Sequence, residues 1–430
     1  MPSVLVDLTP LRVSPAFRRL WLGLSIANLG TQFTVVAVGL QVYELTRSTF
    51  SVGLVGLCAL FPLVIFGLYG GAIVDHADRR TVALVASAVS WAATLVLAVQ
   101  GWAGNGHVGL LYLLTAVQSG ANAVNSPARS AIIPRLLEPR LMPAANALQT
   151  IGWNVALTGG PLLGAALVAV ADYGPVYTID AVLFTFAIVA LVKLPAMPPE
   201  HDEAAGPRRA RAGLGSVLDG LRYLGTRPNV RMTFIVDLIA MITSMPRVLF
   251  PAVALIYLGG GETTTGVLTA AIALGGIVAG LFSGGLARVR WQGRIIVGAI
   301  AAWGLSIAAF GAVLVVVGRG SPDHVLWLAL GLAVLTLAIA GASDAVSAVF
   351  RQTILQTATP DAMRGRLQGV FTVVVAGGPR LGELLLGAVS TRLGEGGAAL
   401  LGGLACVLLL ALAVRLQRSF WHYDARDPQP

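Results

Sequence analysis

Charged side chains are scarce in this chain of 430 residues. They make up only 11% of the sequence, whereas hydrophobic residues make up 56% and the mean hydropathy is +0.80. Such a composition excludes an ordinary soluble protein and predicts an integral membrane protein. Cysteine is rarer still. Cys58 and Cys406 lie in apolar runs far apart in the chain, which excludes a disulfide framework and a paired-cysteine metal or redox site.

Lysine and histidine are too few for several kinds of chemistry. The single lysine, Lys193, follows Val192, so the GxxxxGK loop that binds nucleotide phosphates is missing and ATP hydrolysis in this polypeptide is excluded. The five histidines never show HExxH spacing, and no GxSxG elbow occurs, so a membrane hydrolase lacks its apparatus. We therefore expect a protein that is not an enzyme and that needs no metal or cofactor.

Apolar residues are grouped in twelve runs. Each run is long enough to cross a bilayer, which takes about 20 apolar residues. The sequence therefore predicts an all-α integral membrane protein with twelve transmembrane helices in two six-helix bundles. The runs cover approximately residues 20–44, 50–74, 81–102, 107–128, 147–170, 174–194, 230–257, 264–287, 294–317, 325–349, 367–391 and 397–416.

The placement of basic residues predicts the orientation. If both termini lie on one side, that side carries 24 of the 29 basic residues, and the opposite face carries only Arg47, Arg319 and Arg392. Basic residues accumulate in short cytoplasmic loops, so we expect both termini in the cytoplasm. The preference for arginine over lysine fits a GC-rich bacterial genome, which suggests the plasma membrane of a bacterium. The net charge of +9 then reports topology and not binding to nucleic acid.

The longest polar segment divides the chain. We expect six-helix bundles over residues 1–194 and 230–430, joined by a cytoplasmic linker over residues 195–229. Within the linker, apolar residues have helical spacing with Asp219 and Arg222 between them, which predicts a short amphipathic helix on the membrane surface. These apolar residues are Leu214, Val217, Leu218, Leu221, Tyr223 and Leu224. Docking of a partner protein is the alternative.

The two halves resemble each other between their fourth and fifth runs. Arg129 aligns with Arg351, and Ile132 aligns with Ile354 at the same sequence offset. Parallel repeats of six helices are typical of transporters.

The loop after the second run has a distinctive pattern. Gly71, Asp75, Arg79 and Arg80 belong to the sequence GAIVDHADRR, which resembles the GxLaDrxGRR loop of the major facilitator superfamily. The resemblance implies the fold of that family and a gating role for these residues, because this loop latches the family's two halves in the outward-facing state. The chain departs from the pattern at Asp78, where glycine is usual.

A second motif lies in the fifth run. Gly160, Pro161 and Gly164 form the core of GGPLLGA, which is similar to the GPxxGG motif of the drug:proton antiporter branch. The resemblance implies proton-coupled export. Close packing of glycine-rich helices is the alternative, since Ala165 replaces one glycine of the motif.

Shorter segments resemble the enterobactin-exporter subgroup of the same superfamily, in order along nearly the whole chain. They are PAR at 127–129, IPR at 133–135, PAANAL at 143–148, IDA at 179–181, MPR at 245–247 and LQT at 355–357. The resemblance implies export of a siderophore, or of a macrolide or another drug as in similar exporters.

Ionisable residues inside the runs are candidates for proton coupling. Each costs about 2.5 to 3.5 kcal/mol at mid-bilayer, so each needs a partner or an aqueous cavity. Arg380 and Glu383 are three residues apart on one helical face and can form an ion pair that a proton would break. Glu383 is the first candidate, and Asp237 and Asp180 are further ones. Purely structural ion pairs are the alternative.

Uncharged polar residues form a second group. Gln118 and Asn122 lie on one stripe of the fourth run, and Asn28 and Gln32 form a similar pair on the first. Such stripes line a cavity or form hydrogen bonds between helices. The candidates for the substrate cavity are Asn28, Gln32, Gln118, Asn122, Arg247 and Arg380.

Together these features predict a monomeric secondary transporter in the lipid bilayer. It would export a small organic molecule by alternating access, in exchange for protons. A nutrient uptake carrier of the same fold, and a non-transporting sensor or flippase, are the alternatives.

Overall fold

The computed structural model describes residues 7–104, 106–198, 214–281 and 289–427. Side chains are described within these ranges except at 68–76, 143, 214–217, 281, 356, 361–362, 364–366, 368–369, 372–373 and 376. After a short helix, Thr9–Val13, the first part of the chain forms α1 (Pro15–Thr46), α2 (Thr49–His76), α3 (Arg79–Trp102), α4 (Val108–Ile132), α5 (Met142–Ala171) and α6 (Tyr173–Val192).

The second part begins with the predicted amphipathic helix. It forms α7 (Leu214–Thr226), α8 (Pro228–Ser244), α9 (Gly261–Leu281), α10 (Gln292–Val317), α11 (Trp327–Thr357) and α12 (Asp361–Leu416), and a short helix, Arg418–Trp421, follows. The described residues contain no β-strand. The all-α membrane fold predicted from the sequence is therefore confirmed.

The described helices are consistent with twelve crossings. Ten of them are long and apolar enough to span a membrane by length and composition. Helix α4 is not among the ten, because its polar stripe lowers its hydropathy. The long helix α12 contains two predicted runs, and Gly394 divides it with φ +70°, a conformation that glycine adopts without strain.

The seventh predicted run is not one continuous helix. α8 ends at Ser244, and Met245 takes an extended conformation before a 3₁₀ turn, Arg247–Leu249, a short helix, Phe250–Val253, and a π-helical turn, Ala254–Leu258. Pro246 disfavours the helical conformation in the residue before it and lacks an N–H donor, which explains the break. Broken membrane helices expose backbone groups and side chains where a transporter needs polar contacts.

Contacts between residues group the chain into two compact units. The N-terminal unit comprises Met1–Gln41 and Cys58–Gly213, and the C-terminal unit comprises Val42–Leu57 and Leu214–Pro430. The turn between α1 and α2 therefore packs with the C-terminal unit. The domain boundaries at 194 and 230 stay predictions.

Each unit has its own apolar core. In the N-terminal unit, Leu20, Phe184 and Leu191 are buried together. In the C-terminal unit, the rings of Phe250 and Phe310 pack edge to face with centroids 6.1 Å apart. These cores hold the helices that carry the polar side chains described next.

Candidate transport site

Buried ion pairs connect α8 and α11 in the C-terminal unit. Arg351 forms a short contact with Asp237 and a second ion pair with Asp344 at 3.3 Å. The Arg351 and Asp237 side chains are 5% and 6% exposed, whereas Asp344 is 37% exposed. Removing either partner from a buried ion pair leaves an uncompensated charge, which is costly in free energy. The pairing with Arg351 therefore stabilises the ionised form of Asp237.

The predicted pair on α12 is present. Arg380 and Glu383 are 3.6 Å apart, with side chains 35% and 15% exposed. Helix α2 packs tightly on this pair, since a Cβ atom added at Gly56 would lie 2.6 Å from the Glu383 Oε2 atom. A larger residue at Gly56 would therefore displace the carboxylate.

Arg247 lies in the 3₁₀ turn that interrupts the seventh run, and it is exposed. The carboxylates of Glu383 and Asp344 attract its guanidinium group, and the guanidinium group of Arg380 repels it. No described carboxylate lies within ion-pair distance of Arg247. The arrangement leaves an accessible cation beside Glu383.

A third charged group lies where Gly394 divides α12, and the sequence analysis missed it. Glu395, which is 5% exposed, pairs with Arg319 at 3.2 Å and accepts a hydrogen bond of 2.9 Å from the Thr49 hydroxyl. In the sequence, Glu395 between Gly394 and Gly396 looks like part of an ordinary loop. The one signal that could have indicated this charged group is an acidic residue flanked by two glycines.

Asp180 is in a different environment in the N-terminal unit. Its carboxylate is 1% exposed and accepts one hydrogen bond of 2.5 Å, from the Thr34 hydroxyl. The other oxygen has no hydrogen-bond partner among the described residues, and Gly30 of α1 packs directly against it. No described charged group acts on this carboxyl. An isolated carboxylate in an apolar interior is costly, and taking up a proton removes that cost.

The polar stripe of α4 makes hydrogen bonds to α3. The Gln118 amide donates to Thr94 at 2.9 Å, and the Asn125 amide donates to Ser87 at 3.0 Å. Asn122 is exposed. Gln118 thus connects α4 to α3, Asn122 is the accessible member of the stripe, and both stay candidates for the substrate cavity.

The two cavity candidates of α1, Asn28 and Gln32, are half-buried. Gln32 packs against Gly160, where an added Cβ atom would overlap its side chain, and an added Cβ atom at Gly164 would lie 2.8 Å from the Phe33 Cα. With Pro161 buried between them, the antiporter-type residues form the close approach of α5 to α1. Asn28 has no hydrogen bond among the described side chains and stays a candidate.

The arginines of the gating motif bind helix ends. Arg79 donates to the Ala131 carbonyl at 3.3 Å, and Arg80 donates to the carbonyls of Leu191 and Val192 at 3.2 and 2.7 Å. Cations at the carboxyl ends of helices are favoured by the helix dipole. Gly71 and Asp75 of the motif lie in α2, outside the described side chains.

Asp78, the departure from the family pattern, has a clear role. Its carboxylate accepts hydrogen bonds from the N–H groups of Thr81 at 2.7 Å and Met197 at 2.5 Å, so it caps α3 and holds the segment after α6. Burial acts to raise the pKa of Asp78, but these hydrogen bonds outweigh it and hold the pKa below its ordinary value.

An apolar cavity of about 670 Å³ lies among α2, α3 and α4. Its walls include Pro62, Phe66, Val89, Leu113 and Val124, and none of the predicted site residues line it. The polar candidates therefore lie outside this cavity.

The helical fold and the buried polar groups define a multi-pass membrane transporter of the major facilitator fold. A family model described as transmembrane secretion effector matches residues 6–430. The chain therefore belongs to the transmembrane secretion effector family, and it is a transporter and not an enzyme.

Relatives from bacteria match over almost their whole length. The enterobactin exporter EntS of Citrobacter koseri is 28% identical, with 100% of this chain and 98% of the relative covered. The enterobactin exporter EntS of Escherichia coli K12 is 27% identical, with 99% and 98% covered.

Solved transporter structures share the fold. The nucleoside transporter NupG has a TM-score of 0.72 at 14% identity, covering 93% of this chain and 98% of that chain. The POT family transporter PepTSo has a TM-score of 0.71 at 14% identity, covering 95% and 98%. At these identities the likeness concerns the fold alone.

Proposed function

We propose that this transporter exports a siderophore-like or drug-like small molecule by alternating access, in exchange for protons. The observation that carries the proposal is the group formed by Arg247, Arg380 and Glu383, which places an accessible cation beside a carboxylate in an ion pair. The printed names of the relatives, enterobactin exporters, support the substrate class.

Exchange requires that proton and substrate exclude each other. An ionised Glu383 accepts hydrogen bonds from substrate hydroxyl groups, such as those of a catechol, while Arg247 attracts electron-rich oxygens. A proton on Glu383 weakens its attraction to Arg380 and removes the charged acceptor. Proton uptake at Glu383 therefore releases a hydroxyl-rich substrate.

The surroundings of Asp180 and Asp237 indicate which of the two is the better candidate for proton coupling. Asp180 has no described cation beside it, so it is the second proton carrier that we propose, in the N-terminal unit. Asp237 forms its pair with Arg351 in a buried site, which suits it less to releasing and binding protons.

The cellular setting belongs to the same proposal. The 24 basic residues on one predicted side support a bacterial plasma membrane location with both termini in the cytoplasm. We propose that the transporter works there as a monomer whose partners are its substrate, protons and lipid, without nucleic acid.

Counterflow in proteoliposomes tests the substrate class. Purified full-length protein is offered a catechol siderophore, a macrolide and a sugar, and we expect exchange of the siderophore or the macrolide. Arg247→Gln should reduce that exchange at least tenfold, since a charged hydrogen bond contributes about 1.5 to 3 kcal/mol. Arg392→Gln, at an exposed arginine on the predicted outer face, should leave it unchanged.

Two results would reject the proposal. Sugar exchange alone would indicate an uptake carrier. Lipid scrambling without substrate exchange would indicate a flippase, and the absence of any flux would indicate a sensor of transporter ancestry.

A further inference from the structure

The C-terminal segment folds back onto the start of α10. Phe420 is fully buried, and its carbonyl packs directly against Gly293. The Ala425 N–H donates to the Arg290 carbonyl at 2.9 Å, and the Arg290 guanidinium pairs with Asp424 at 2.7 Å. These contacts fix the position of the segment relative to α10.

This docking places an arginine between two indole rings. The Arg294 guanidinium lies 5.0 Å from the ring centroid of Trp291 and 5.8 Å from that of Trp421. Arg290 also lies over Trp291, at 4.6 Å, but its charge is paired with Asp424. Arg294 is exposed, and no described carboxylate pairs with it.

The location of the group indicates what it meets. It lies at the first turn of α10, a helix apolar enough to span a membrane by length and composition, which predicts a position where hydrocarbon gives way to headgroups. Tryptophan is enriched at this depth, and arginine binds phosphate through two parallel hydrogen bonds while its face stacks on aromatic rings. Trp421, 37% exposed, leaves an apolar edge open beside the cation.

We propose that Arg294, Trp291 and Trp421 bind the headgroup of an anionic phospholipid. The guanidinium meets the phosphate, and the indole edges contact the glycerol region. The charge complementarity is specific to Arg294, because the neighbouring Arg290 is neutralised by the C-terminal segment.

Lipid binding to the full-length protein in detergent tests this site. Native mass spectrometry would measure lipid binding in titrations with dioleoyl phosphatidylglycerol and, separately, with dioleoyl phosphatidylcholine. We expect Arg294→Gln to weaken phosphatidylglycerol binding about fivefold and to leave phosphatidylcholine unaffected, since one arginine near a membrane surface contributes about that much. Arg294→Lys should fall between, because it keeps the charge and loses the planar fork.

Arg415→Gln is the matched control, an exposed arginine at the same predicted side without a tryptophan contact. An equal loss with Arg415→Gln would show general attraction to charge and overturn the site. Unchanged phosphatidylglycerol binding by Arg294→Gln would overturn it as well. Full displacement of the lipid by glycerophosphate at equal concentration would indicate a site for soluble phosphate instead.

A second variant guards against a folding defect. Trp421→Ala should weaken phosphatidylglycerol binding about threefold, as expected for loss of one cation–π contact. Its thermal midpoint without added lipid should match that of the wild type. If Trp421→Ala folds and binds the lipid normally, the site is rejected.

Discussion

The two compact units keep polar side chains inside a membrane in different ways. In the C-terminal unit, buried charges are paired, as at Asp237 with Arg351 and at Glu395 with Arg319. In the N-terminal unit the ion pair of Glu138 with Arg140 is exposed, and the amide side chains of α4 donate to hydroxyl groups of α3.

The repeat makes this difference visible at one position. Arg129 and Arg351 occupy equivalent places in the two halves, yet Arg129 donates to the Ser87 hydroxyl at 3.3 Å, whereas Arg351 meets two carboxylates. Asn122 in the first half stands where Asp344 stands in the second. The equivalent arginine therefore meets a neutral hydroxyl in one unit and carboxylates in the other, and we propose that substrate attraction lies mainly in the C-terminal unit.

Breaking the ion pair of Asp237 with Arg351 should give the largest effect on stability. Asp237→Leu leaves Arg351 with only the partly exposed Asp344, so we expect the free energy of unfolding to fall by about 3 to 5 kcal/mol in mixed detergent micelles. The double variant Asp237→Leu/Arg351→Met should recover most of this loss. Glu138→Gln, at the exposed pair of the other unit, should cost at most about 1 kcal/mol. Equal losses for Asp237→Leu and Glu138→Gln would remove the contrast between the units.

The hydroxyl network of the N-terminal unit should respond less strongly. Ser87→Ala removes the acceptor shared by Asn125 and Arg129, and a buried donor left unpaired costs about 1 to 3 kcal/mol. Ser130→Ala is the control, because its exposed hydroxyl bonds only to its own helix. Unfolding in the same micelles measures both, and a loss for Ser87→Ala above that of Asp237→Leu would reverse the comparison.

The smallest effect concerns the helix cap at Asp78. Asp78→Ala should cost about 1 kcal/mol at pH 7, and Asp78→Asn less, since asparagine also caps helices. Because the pKa of Asp78 is lowered, its contribution is complete above the ordinary value of 3.8 and is lost as the pH falls through the lowered value. Thermal midpoints should therefore converge for wild type and Asp78→Ala at strongly acidic pH. A difference that persists there would indicate that the charge has no part in the cap.

Much of the fold follows from the sequence because membrane helices obey a local rule of length and apolarity. The Arg380–Glu383 pair was predictable for the same reason, since both residues lie on one helical turn. The pairing of Asp237 with Arg351 was not, because it joins helices far apart in the chain and depends on how they pack. Pro246 signals a break in the seventh run, but the turns that follow depend on tertiary contacts.

The role of Gln118 shows a similar limit. Its spacing predicts a polar face but does not tell whether that face meets water or another helix. In the structure its amide donates to Thr94 on α3, and the sequence does not reveal that neighbour.

Proton-driven transport by Glu383→Gln tests the central claim most directly. In proteoliposomes with an imposed pH gradient, the wild type should accumulate substrate, whereas Glu383→Gln, which resembles the protonated form that releases substrate, should lose at least nine-tenths of this accumulation. Glu395→Gln is the matched control, a buried glutamate also paired with an arginine, and it should keep accumulation driven by the gradient. Undiminished accumulation by Glu383→Gln would contradict the account.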